Sequence, residues 1–162
     1  MMRTAVSSYM LNALIVLLSF VGMELFTAVF HRVVMHKLLW VIHRSHHVRD
    51  SDGPFEWNDV FVLFFTTSAI GLIIAGLPNG YTVWIGTGIA LYGTTYFIVH
   101  DMVIHRRFLR MPRPKSGYLH AVHRAHMAHH KHTSNETGEA YGLLWVPTRY
   151  WLSSQKRPSR DV

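Results

Sequence analysis

Histidine carries the chemistry of this sequence. The chain has 13 histidines among 162 residues, and they recur at two spacings. His43, His46 and His47 form one H-x-x-H-H unit; His126, His129 and His130 form another. Residues three and four apart share a helix face, so each unit directs three imidazoles toward one cavity. His31/His36 and His100/His105 are pairs five residues apart. On a regular α-helix such residues point about 140° apart. Either these pairs serve different metal ions, or a π-bulge or helix end rotates one member back; the spacing leaves both open. Neutral imidazole is the commonest side-chain metal ligand, and ten of them suit two ions with about five each. Zn, Cu, Fe and Ni all accept imidazole. The Glu-x-x-His motif of carboxylate-bridged di-iron bundles is absent, so the donor set is all nitrogen. A lone histidine at a helix end is ordinarily a cap or a snorkelling side chain. Two H-x-x-H-H units and two spaced pairs on one side of a membrane are not explained in that way.

The elements that must hold these histidines are apolar. Tyr9 to Phe30 is a 22-residue run with one charge, Glu24, and Val60 to Leu77 and Tyr81 to Val99 are uncharged. At 1.5 Å per residue they reach roughly 33, 27 and 28 Å, close to a bilayer core of roughly 30 Å. The fold expected is all-α and membrane-embedded, with three or at most four transmembrane helices. Pro78-Asn79-Gly80 is turn chemistry and makes the second and third spans a hairpin. Every histidine lies at or beyond one end of a span. Of 16 Lys and Arg, only Arg3 precedes the first span; the rest fall between Arg32 and Arg49 or between Arg106 and Arg160. The positive-inside rule makes that face cytoplasmic and places a histidine-rich helical cap there. The net charge of +7 is then a topology signal, and no nucleic-acid partner is expected. A first stretch this long, with Glu24 and no A-x-A-like site, reads as a retained anchor rather than a signal peptide. Residues 1–152 read as one domain and 153–162 as a polar, mobile tail. Thr133 to Glu139 reads as an exposed loop. Ala140 to Leu152, with Tyr141, Trp145, Tyr150 and Trp151, suits a membrane interface, a lipophilic pocket wall or ordinary packing.

Composition excludes much else. With no cysteine there is no disulfide, no haem-thiolate, no cysteine-held iron–sulfur cluster and no Cys nucleophile. No G-x-G-x-x-G fingerprint and no flavin domain accompany the histidines, so redox chemistry here draws its electrons from another protein.

In chain order, H-x4-H, H-x2-H-H, H-x4-H and H-x2-H-H around short spans resemble the histidine boxes of integral-membrane oxygenases. That superfamily holds fatty acid hydroxylases, sterol desaturases and carotenoid hydroxylases. A narrower resemblance, to the bacterial β-carotene 3-hydroxylase family, rests on NALIVLLSFVGMELF, HRVVMH, HRSHH, PFEWNDVF, YGTTYFIVHDMVIHRRF, and GYL followed by HRAHMAHH. It runs from about Asn12 to Pro147. The resemblance implies that His31, His36, His43, His46, His47, His100, His105, His126, His129 and His130 ligate two iron ions and act in catalysis through them, with zinc able to replace iron on isolation. His120, His123 and His132 fall outside the boxes. It further implies O2-dependent hydroxylation of β-carotene at C3 and C3′, through β-cryptoxanthin to zeaxanthin, in the bacterial inner membrane among its lipids. The expected electron donors are a ferredoxin and an NAD(P)H-dependent ferredoxin reductase. A fatty acid or sterol hydroxylase or desaturase with the same site is the sibling alternative. A histidine-rich metal transporter is the alternative of another class; it is disfavoured because transporters place ionisable groups near the midplane and here only Glu24 sits deep. Metal-bound imidazoles pass their second N–H to an outer acceptor. Asp101, Glu56, Asn58 and Asp59 are the candidates, with interfacial exposure or a helix cap at Asn58 or Asp59 as the alternative.

Overall fold

The computed structural model describes residues 2–48, 53–109, 111–134 and 138–155. Every regular element among them is helical. Helix α1 (Met2–Phe30) runs on without a break into a π-helical end, His31–Leu38. The chain bends at Leu39 (φ −117°, ψ 34°) and continues as α2 (Trp40–His47). Helix α3 (Asp59–Gly76) and helix α4 (Thr82–Tyr96) follow, and α4 also has a π-helical end, Phe97–Ile104. Helices α5 (Gly117–His129) and α6 (Thr148–Gln155) complete the described fold.

Three helical runs are long and apolar enough to cross a membrane: Val6–Leu38, Asp59–Gly76 and Thr82–Ile104. No fourth is found among the described residues. At 1.5 Å per residue the 33-residue first run is about 50 Å long and the 23-residue third about 35 Å. Both exceed a hydrocarbon core of roughly 30 Å, and both carry histidines on their last turns. The histidine-bearing ends are therefore continuations of the spans rather than separate segments. Large apolar side chains such as Leu17, Leu18, Leu25, Leu63 and Ile74 face outward. In water that surface would be a severe aggregation liability; against lipid it has no cost.

Helix α4 packs between α1 and α3. Small residues allow the close approach. A Cβ on Gly88 would meet the Val16 carbonyl oxygen of α1, and one on Gly86 would stand 2.7 Å from the Ala69 oxygen of α3. Between α1 and α3 the gap is bridged at one end by aromatic edges, with Phe30 against Phe61 and Phe65 at 5.8 and 5.3 Å. Besides buried Met23, Phe61, Ala69 and Tyr92 in the spans, an apolar cluster lies in the cap. Ile104, Ala121, Val122, Ala125, Leu143 and Val146 lock α5 and the 140s segment onto the π-helical end of α4.

The segment predicted as an exposed loop is non-helical at its described ends, with Thr133 and Ser134 exposed; residues 135–137 lie outside the described residues. Of the polar tail expected over 153–162, α6 reaches Gln155, and 156–162 lie outside the described residues.

Candidate metal centre

The two π-helical ends settle the question left by the five-residue spacing. A π-helix bonds residue i to i+5 and so stacks them on one face. The His105 amide donates to the His100 carbonyl at 2.9 Å, and the Leu39 amide to the Val34 carbonyl at 2.7 Å. His31 and His36 thus lie with ring centroids 5.1 Å apart, and His100 and His105 with theirs 4.6 Å apart. The H-x-x-H-H units behave as helix geometry dictates. His43, His46 and His47 share the inner side of α2, and His126, His129 and His130 the end of α5.

Four separate stretches converge into two adjacent groups. His31, His36, His43, His47 and His129 bring one ring nitrogen each within 4.8 Å of all the others; His46, His105, His126 and His130 do the same. His100 packs against the second group, its ring 4.7 Å from His46 and 4.6 Å from His126, with a buried Nε2 that has no hydrogen-bond partner. The arrangement is five nitrogens beside four, with a fifth imidazole flanking the four. The groups touch along His47 and His130, whose rings stack at 4.5 Å. His120, His123 and His132 belong to neither group. The His120 Nδ1–H donates to the Pro114 carbonyl instead.

Outer partners fix which nitrogen carries the proton. The Nδ1–H groups of His31 and His129 donate to the backbone carbonyls of Tyr141 and Glu139, each at 2.9 Å. Those of His43, His46 and His100 donate to Asn58 Oδ1 (2.7 Å), Glu56 Oε2 (2.8 Å) and Asp101 Oδ1 (2.9 Å). Carbonyl and carboxylate oxygens only accept, so each neutral ring keeps its proton on Nδ1 and its lone pair on Nε2. The assigned Nε2 lone pairs of His31 and His43 thus face each other across 2.9 Å, and the Nε2 atoms of His36 and His129 lie 3.2 Å apart. In the second group the separations are 2.8 Å for His105–His126 and 3.1 Å for His46–His130. Opposed lone pairs such as those of His31 and His43 repel at that distance unless a cation lies between them. Two imidazole nitrogens each about 2.0–2.1 Å from one divalent ion stand about 2.9 Å apart when they subtend a right angle. The donor set and its spacing fit a pair of metal ions.

Electrostatics keeps the rings in the ligating form. Burial, followed by the neighbouring imidazoles, holds His46, His105 and His126 well below the ordinary histidine range. Burial first also brings His43, His129 and His130 down to about 3. All are neutral near pH 7, with lone pairs available.

Of the four outer candidates, Asn58, Glu56 and Asp101 each hold a histidine. Asn58 stands at the start of α3 but makes no capping bond. Asp59 holds no histidine and pairs with Arg107 at 2.6 Å. Arg107 was not foreseen from sequence, because one arginine among many gives no signal until the fold brings carboxylates to it. The carbonyls of Glu139 and Tyr141 were equally invisible, since any residue can supply one. The 140s aromatic segment also differs from the pocket wall considered above. Tyr141 packs on His31, His36 and His129 with centroids 5.3–5.5 Å away, Trp151 packs on Tyr118, and Trp145 is 73% exposed.

Directly below the first group lies an apolar cavity of about 440 Å³ within the spans. Phe30, Phe61, Phe65, Tyr92 and Phe97 line it, and His31 and Asn58 stand at its histidine end. Of the 140s segment only Leu143 reaches it.

Similarity to known proteins agrees with this geometry. Residues 16–149, every box histidine included, match the family described as fatty acid hydroxylase. The chain belongs to the fatty acid hydroxylase family. Within reach of it are the β-carotene hydroxylase of Pantoea ananas, 37% identical over 137 residues (84% of this chain, 78% of that one), and that of Pseudescherichia vulneris, 39% identical over 138 residues (85% and 78%). The chloroplastic β-carotene 3-hydroxylase 1 of Arabidopsis thaliana is 40% identical over 132 residues, covering 78% of this chain and 42% of the plant protein. No solved structure gives a significant match.

Proposed function

We propose that this chain is a membrane hydroxylase of carotenoid β-rings, taking β-carotene through β-cryptoxanthin to zeaxanthin. The observation that carries the reading is the apolar cavity ending at His31 and Asn58, beneath ten convergent imidazoles. The bacterial relatives' names supply the substrate class. Residues 1–152 act as a single hydroxylase domain, with the cap on the cytoplasmic face of a bacterial inner membrane.

His31, His36, His43, His47 and His129 would hold one iron ion, and His46, His100, His105, His126 and His130 the other. Bound there, the metals supply the activation of O2 that side-chain acid–base chemistry cannot provide for an unactivated C–H bond. The net reaction replaces one ring C–H by C–OH, with O2, two electrons and two protons consumed and one water released.

The chain's own side chains do the rest. Phe30, Phe61 and Phe97 give the cavity an apolar wall that takes one cyclic end of the substrate and leaves the polyene to lipid. Positioning of the ring C–H against the histidine end converts an encounter into a directed reaction. Tyr141 and Trp40 cover the first group's rings and keep water from them. The two electrons come from a ferredoxin and its NAD(P)H-dependent reductase. Exposed Lys37, Arg113, Lys115 and Lys131 on the cap suit an acidic carrier.

Producing the protein in bacteria that accumulate β-carotene tests the substrate. Zeaxanthin and β-cryptoxanthin are expected. Unchanged carotenoids with altered fatty acids or sterols would instead identify the sibling lipid hydroxylase.

A further inference from the structure

Two charged residues outside the histidine groups, buried Glu24 and half-buried Arg107, have no place in the chemistry above. Glu24 is 8% exposed on α1 within an apolar run. An ionisable group at such a depth is costly and is kept for a purpose. Its Oε1 accepts the backbone N–H groups of Leu144 (2.9 Å) and Trp145 (2.8 Å), and its Oε2 accepts the Tyr92 hydroxyl (2.8 Å). The carboxylate is therefore a clamp on the 140s segment. The segment passes so close that a Cβ on Gly142 would stand 2.7 Å from Oε1. This is the segment whose Glu139 and Tyr141 carbonyls orient His129 and His31, both in the first group.

Arg107 does the corresponding work on the other side. Its guanidinium donates to Asp59 (2.6 and 2.8 Å), to Asp101 Oδ1 (3.1 Å) and to the Pro54 carbonyl (2.6 and 2.9 Å), and lies 3.9 Å from Glu56. Glu56 and Asp101 are the carboxylates that orient His46 and His100. Asn58, which serves the first group, has its own anchor, its N–H donating to Ser45 Oγ at 3.2 Å. Among the described residues, the partners of Glu24 and those of Arg107 are different groups. The first group is backed by neutral oxygens, the second by carboxylates neutralised in part by one arginine.

We infer that Glu24 and Arg107 are positioning residues, each for one histidine group: Glu24 through the 140s backbone for the first, Arg107 through Glu56 and Asp101 for the second. The inference rests on the reading that each group holds a metal ion. Outer partners of metal-bound histidines are worth about 10–100-fold in affinity.

The test is cobalt(II) titration of the full chain, stripped of metal, in lipid nanodiscs. Visible absorption and equilibrium dialysis follow the binding. The unsubstituted chain should take two equivalents, with His43→Ala and His126→Ala marking which is which. Glu24→Ala should weaken only the first-group equivalent about 10–100-fold, and Arg107→Gln only the second. The equivalent retained in each variant, with an unchanged spectrum, shows that the fold persists. Glu24→Gln should rescue, because an amide oxygen still accepts both N–H groups. Arg107→Lys should not, because an ammonium lacks the planar fork. Weakening of both equivalents together, or of neither, overturns the inference. Fewer than two equivalents in the unsubstituted chain overturns the two-site reading itself.

Discussion

His31 and His43 aim their Nε2 atoms at each other across 2.9 Å while both rings hold their protons on Nδ1, bonded to the Tyr141 carbonyl and Asn58 Oδ1. This opposition of lone pairs suits a metal ion between the two rings better than a hydrogen bond between them. It also predicts what happens when one member is removed. His46→Ala and His129→Ala, one in each group, should abolish hydroxylation and lower bound metal while the protein still inserts in the membrane. His132→Ala should retain most activity. Pigment extraction and metal analysis of the purified variants check this, and equal loss at all three would refute the ligand assignment.

Asn58 supplies the oxygen that holds the proton of His43 on Nδ1. Asn58→Leu removes that acceptor at nearly constant volume. First-group metal affinity should fall about 10–100-fold, read by competition with a chromophoric chelator. The second group should be unaffected.

The metal-free protein should lose stability on acidification. His43, His129 and His130 titrate at about 3 in the fold, lowered chiefly by burial, against about 6.5 in an unfolded chain. Between these values the unfolded state binds more protons, so stability falls with pH through that window. Above about 6.5 these three contribute no slope. Denaturation of the metal-free protein in detergent, followed by tryptophan fluorescence from pH 7.5 to pH 4, should show the transition moving to milder conditions. A flat profile would mean that the rings are not held neutral by burial.

Gly93 lines the cavity on α4, and a Cβ there meets nothing within 4 Å. Gly93→Leu places its Cβ without a clash and adds bulk at the cavity wall. Conversion of β-carotene should drop at least about tenfold, since a ring that cannot reach its position loses the benefit of orientation, with two metal ions still bound. Full activity would place the substrate elsewhere.

Much of this was legible in the residues. Helix periodicity made His43/His46/His47 and His126/His129/His130 single-faced units, and apolar run length located the three spans. The i,i+5 pairs were ambiguous because a side-chain list does not distinguish α from π hydrogen bonding; the His105-to-His100 amide bond resolves them. Glu24 was visible only as a charge in a span. Its partners are backbone amides some 120 residues away in sequence, and no side-chain pattern encodes them. Arg107 became meaningful only once Asp59, Asp101 and Glu56 were brought around it. Local spacing speaks for side chains on one helix, whereas contacts through backbone atoms or between distant segments need the fold.

The most direct test of the central claim uses iron-loaded protein in lipid nanodiscs with β-carotene, ferredoxin, its reductase and NADPH, under isotopically heavy dioxygen. Zeaxanthin carrying one heavy oxygen atom in each ring hydroxyl, formed by protein with two bound iron ions, is the predicted result. Unmodified β-carotene from protein that holds both irons and accepts electrons, or hydroxyl oxygen drawn from water, would contradict the account.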